Sequence, residues 1–122
     1  MFKYVRLNER CPADGFLGDI QKPMAKRFKG QFDALTKIGE KFCNQQRFWP
    51  LRDHGKPLWE FKEHDHRLYC VRKISRNGSM TIVLLNGWIK GKEGKTDKEA
   101  REIDKALTLY NEFLVEFPGG EL

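Results

Sequence analysis

Leu58 to Lys90 reads LWEFKEHDHRLYCVRKISRNGSMTIVLLNGWIK, and the fold turns on this stretch. Leu58–Lys62 alternates, with Trp59 and Phe61 on one side and Glu60 and Lys62 on the other, the period-two pattern of a strand. Arg67–Lys73 reads as a second strand, in which Leu68 and Cys70 face helices while Arg67, Tyr69 and Val71 share the opposite side. Ser75-Arg76-Asn77-Gly78 predicts a tight hairpin, because Asn-Gly accepts the positive φ angles of such a turn. Met80–Ile89 is almost uninterrupted apolar sequence, as expected of a strand inside a covered sheet. The result is three antiparallel strands with an anomaly of charge. Lys62, Arg67, Arg72, Lys73 and Lys90 sit among aromatic and aliphatic residues, so they need something to face.

Upstream, Phe2–Leu7 alternates as a short first strand. Pro12-Ala13-Asp14 opens a helix bearing Phe16, Leu17 and Ile20, which Pro23 interrupts or restarts. Met24, Phe28, Phe32 (or Gln31), Leu35, Ile38 and Phe42 then recur every three or four residues, the apolar stripe of a long helix. Lys22, Lys26, Arg27, Lys29, Lys37 and Lys41 lie mostly off that stripe and read as a solvated face. Asn44–Lys56 reads as a polar connection. Downstream, Thr96 to Glu99 fits a capping box. It opens a helix whose Ile103, Ala106, Leu107, Tyr110, Phe113 and Leu114 form one face. The expected fold is α+β: an N-terminal helical hairpin packed on one face of a small antiparallel sheet, with a C-terminal helix against an edge or the same face. One domain is expected over residues 1–117, with 118–122 as a tail.

A chain of 122 residues can bury one substantial core. Its 39% hydrophobic content is too high for a disordered chain. Lys plus Arg number 23 against 17 Asp plus Glu, a net charge of +6 that favours a polyanionic partner. Cys11, Cys43 and Cys70 are far apart and odd in number, which fits reduced thiols better than a disulfide framework or a zinc site. The N-terminal MFKYVRLNER lacks a signal-peptide core, and no apolar run is long enough to span a bilayer. A cytoplasmic location without membrane association is expected.

Taken together, PLRDHGKPLWEFK, HRLYCVRK, TIVLLNGWIKGK and AREIDKAL resemble the RelE/HigB-like family of toxins from bacterial and phage toxin–antitoxin pairs. The family's leader "pLkd.G..LwElR", its "yRi.y", its "ilL.gf.KK" and its helix "eie.A" appear in the same order and at similar spacing between Leu51 and Leu107. Gly39 sits where the family often has "La..G". The resemblance implies a microbial-ribonuclease-like fold that cleaves mRNA on the ribosome, without metal or other cofactor, and is neutralised by a helix-turn-helix antitoxin. In that chemistry the RNA 2′-hydroxyl attacks the adjacent phosphorus, so cations must surround a phosphate of growing charge and a group must move protons. Lys62 stands where the family has Arg, the paired lysines read Lys90-Gly91-Lys92, and the carboxy-terminal catalytic Tyr or His has no clear counterpart.

The catalytic residues implied are Arg67 on the scissile phosphate, Lys62 and Lys90 beside it, and His54 or His66 as proton carrier. Arg52, Tyr69, Lys92 and Lys95 are implied RNA contacts. The competing reading of Arg67, the lesser of the two, is a structural arginine bonding backbone at a strand end. His64-x-His66 hints at metal ligation, but no carboxylate or cysteine cluster completes it. Trp59, Phe61 and Tyr110 read as core, and Asn86 and Trp88 fit either role. Two readings compete with the nuclease: a gyrase inhibitor like the related ParE branch, and a homologue that binds RNA or a partner without catalysis.

Overall fold

A computed structural model of the chain describes residues 12–42, 47–51, 58–74, 80–90 and 96–116. The anticipated strand Phe2–Leu7, the Asn77-Gly78 turn and the tail lie outside the described residues. Helices α1 (Pro12–Asp19) and α2 (Lys22–Ile38) come first, and a 3-10 turn at Gly39–Phe42 follows them. Strands β1 (Phe48–Pro50), β2 (Trp59–Glu63), β3 (His66–Ile74) and β4 (Met80–Ile89) precede helix α3 (Thr96–Glu116). The strands form one antiparallel sheet in the order β1-β2-β3-β4.

Local chemistry sets the element ends. Proline in the first turn of α2 costs nothing, because the amide it lacks has no helical partner there. Gly39 ends α2 with φ +59°, which a side chain would strain, and its N–H donates to the Leu35 carbonyl. Strand β1 corrects the reading of Asn44–Lys56 as a polar connection throughout. Three residues are enough because Phe48 stacks on Phe61 at 4.3 Å between ring centroids and is fully buried. Pro50 is tolerated because β1 is an edge strand among the described residues, where a missing ladder donor does little harm.

Alternation along the strands builds two cores. Phe48, Phe61, Leu68, Cys70, Ile82 and Leu84 pack under α1 and α2 against Leu17, Phe28, Phe32 and Leu35. Leu58, Tyr69, Val71, Val83, Leu85 and Trp88 pack under α3 against Ile103, Ala106 and Phe113. The C-terminal helix therefore lies on the opposite sheet face from the helical pair, not at an edge or on the same face. The α+β class stands, arranged as three layers. Both alternating sets of β4 are apolar, and a one-sided sheet would have left Val83 and Leu85 in water.

One irregularity matters for the site. Leu68 pairs with Gly87 and Cys70 with Leu84, so two steps along β3 match three along β4. This is a β-bulge at Leu85–Asn86. Beyond it, Gly87 lies under the Phe16 ring of α1, and Trp88 belongs to the α3 core.

Candidate active site

The α3 face of the sheet gathers charge at the end where β2 turns into β3. Lys62 and Arg67 are directly opposite in the antiparallel register, with Trp88 across from Arg67 on β4. Like charges facing each other across strands are destabilising unless an anion separates them. Glu60, two residues along β2 on the same face, supplies one: its Oε1 is 3.5 Å from Lys62 Nζ. Lys90 reaches the same face past the bulge, and its Nζ is 3.3 Å from Glu99 Oε2 in the first turn of α3. The Lys90 amide also donates to the Asp65 carbonyl at 2.7 Å, which fixes where the strand delivers that side chain.

Arg67 is held firmly. Its Nη1 donates to the His64 carbonyl at 2.6 Å and to the His66 carbonyl at 3.0 Å, so the guanidinium closes the β2–β3 turn. His64 takes a positive φ of 52° in that turn. Lys62, Arg67 and Lys90 thus do share one face, and each already has a partner within the chain. These three cations face carboxylates and backbone carbonyls, and Arg72 lies over the Trp59 ring, 4.2 Å from its centroid.

Glu60 emerges as the most perturbed acid of the cluster. Its side chain is 12% exposed, and burial raises its carboxyl above the ordinary glutamate range. Lys62 and Arg67 pull it back down, while Glu99 adds to the upward push. A carboxylate poised to take a proton beside two cations, Lys62 and Arg67, is what general-base chemistry at a phosphate needs. Sequence reading passed over Glu60 and Glu99 because it weighed the cations without asking for their counter-ions. The strand parity that joins Glu60 to Lys62 was the available signal.

The structure separates other anticipated residues from this cluster. His66 belongs to the parity of Leu68 and Cys70, and its ring lies 6.1 Å from that of Phe16 on the α1 side. Its Nδ1 contacts Asp65 Oδ1 at 2.8 Å. It therefore lies across the sheet from the Arg67 cluster and is badly placed as its proton carrier. Tyr69, anticipated as an RNA contact, is 1% exposed and accepts a hydrogen bond from Trp88 Nε1 at 2.9 Å. Burial pushes its phenol well above the usual range, so it is a core residue. Asn86 is core too, its Nδ2 donating to the Glu102 carbonyl at 3.1 Å. Arg52, His54, Lys92 and Lys95 lie outside the described residues. No helix among the described residues is long and apolar enough to cross a membrane. No protein-family model matches the chain, and a search of the curated proteins finds no matching relative.

Proposed function

We propose that this protein is an RNA endonuclease of the RelE/HigB toxin type, cutting mRNA on the ribosome and held in check by a helix-turn-helix antitoxin. The observation that supports it is the placement of Lys62 and Arg67 on one face beside Glu60, a carboxyl of raised proton affinity, with Lys90 on the same face paired to the neighbouring Glu99. In this mechanism the scissile phosphate displaces the acidic partners of the cations. Glu60 accepts the proton of the 2′-hydroxyl as that oxygen bonds to phosphorus. The bond to the 5′-oxygen breaks, and that oxygen takes a proton from water. The products are a cyclic 2′,3′-phosphate and a free 5′-hydroxyl. Arg67, with Lys62 and Lys90, stabilises the charge that builds on the phosphate oxygens.

Primer extension on translated mRNA with purified protein tests this. Cuts should appear with the native chain and fall about a hundred- to a thousandfold in Arg67→Ala, the usual cost of one such donor. A second reading, a homologue of the same type without nuclease activity that binds gyrase, RNA or another partner, is favoured by one feature. Arg67 and Lys90 are already engaged by His64, His66 and Glu99. Under that reading the native chain leaves transcripts intact.

A further inference from the structure

The outward face of α2 differs from an ordinary solvated helix in how its charge is laid out. Lys22, Lys26, Lys29 and Lys37 fall within about 80° of arc at 3.6 residues per turn. That arc is opposite the buried Phe28, Gln31, Phe32 and Leu35, and all four lysines are exposed. Asp33 is the one acid within it. Over the 17 residues of α2 there are five cations and one acid, a net +4 in a chain of net +6. None of the four lysines stands in an ion pair among the described residues. Their span is about 22 Å at 1.5 Å per residue. That length matches about six phosphates of one strand of a nucleic-acid duplex.

The stripe also leads to the site. Arg27, on its flank, contacts His64 Nε2 in the β2–β3 turn, and the carbonyl of that same His64 holds Arg67. Gln31 ties the buried side of α2 to the Lys62 carbonyl at 2.7 Å. We infer that the outer face of α2 is a docking surface for an RNA phosphate backbone, holding a strand that continues around the β2–β3 turn toward Arg67. The direction toward Arg67 rests on the nuclease reading; the docking surface does not. An anionic membrane fits less well, because the apolar side of α2 is buried in the core and cannot insert. An acidic protein fits less well too, since the arc has no aromatic or apolar anchor between its lysines.

The test is fluorescence anisotropy of a labelled 20-nucleotide RNA over a potassium chloride series. The native chain is compared with the variant Lys22→Gln, Lys26→Gln, Lys29→Gln, Lys37→Gln, each checked for unchanged melting temperature. The variant should bind at least tenfold more weakly, with the slope of log affinity against log salt smaller by about 2 to 3. Unchanged affinity and slope would overturn the inference. Tighter binding of the native chain to poly-glutamate or to phosphatidylserine vesicles than to the RNA would overturn it as well. In the cleavage assay the variant should raise KM and leave kcat unchanged. If the native chain cuts nothing, the nuclease reading fails, while the binding result still decides the docking surface.

Discussion

Two groups of cations on this protein differ in the company they keep. Lys62, Arg67 and Lys90 at the end of the sheet are paired with Glu60, two backbone carbonyls and Glu99, in a site partly shut off from water. Lys22, Lys26, Lys29 and Lys37 on α2 stand in water without ion-pair partners among the described residues. Paired, ordered charges hold donors in a fixed geometry, which suits the short-range demands of a reacting phosphate. Unpaired, exposed charges act over distance and depend on salt, which suits capture. The difference is one of placement rather than residue type.

The comparison breaks most sharply at Arg67. Arg67→Ala should lose cleavage about a hundred- to a thousandfold. Chemical denaturation should also show it less stable by about 1.5 kcal/mol, because the guanidinium closes the turn through two carbonyls. Arg67→Lys should recover little of the cleavage, since an ammonium cannot grip a phosphate with a fork. Full cleavage by a folded Arg67→Ala protein would remove the sheet-end group from the chemistry.

Next comes Gly87, where an added methyl would overlap the Phe16 ring. Gly87→Ala should cost about 1–3 kcal/mol of stability by overpacking. Phe16→Ala in the same chain should relieve part of that loss, and strictly additive losses would count against direct contact.

Glu60→Gln sharpens the contrast by separating function from stability. The sign follows from the direction of the shift. A carboxyl raised in the folded state keeps its proton more tightly there than in the unfolded chain. Stability is therefore lost as pH climbs from the ordinary glutamate value of 4.5 through the folded one. The glutamine variant should melt higher than the native chain at neutral pH, approach it near pH 4, and cleave far more slowly. A lower melting temperature at neutral pH would mean that the pairing with Lys62 outweighs the burial of the charge.

The smallest effect is expected on α2. A single Lys29→Gln should change stability by less than about 0.5 kcal/mol and lower the salt slope of RNA binding by about 0.7. Equal slopes for this variant and the native chain would place Lys29 outside the bound strand.

Much of this architecture was legible because several signals agreed at each place. The observed β3, His66–Ile74, begins and ends within a residue of its reading, and β4 coincides with it, because alternation and apolar content marked both ends. β1 was missed since Phe48-Trp49 is too short to show a period, and its pairing with β2 is a long-range fact. The side taken by α3 was misjudged, although Tyr69, Val71, Val83 and Leu85 already formed a second apolar set that needed a cover. His66 was misassigned against its own parity, which Leu68 and Cys70 declared. Glu60 shares the parity of Lys62 within one strand and was legible there, whereas Glu99 could not be paired with Lys90 until the helix was in place. Glu99 had been read as half of a capping box, a local role, when its partner Lys90 lies on another element.

The bulge at Leu85–Asn86 carries a consequence for how such chains diverge. Remove one residue there and the ladder closes into plain alternation, with every side chain from Gly87 onward still on its present side: Lys90 stays on the α3 face, and Trp88 stays with Tyr69. Remove Ile89 instead, beyond the bulge, and Lys90 moves to the His66 side beneath α1: net charge and nearly every motif letter survive, yet the sheet-end cluster loses its third cation. Related chains that differ by a single insertion or deletion in this strand could thus keep the fold and the sequence pattern while exchanging one working surface for another. A one-residue length change beyond the bulge is worth more attention, in any such comparison, than several substitutions elsewhere.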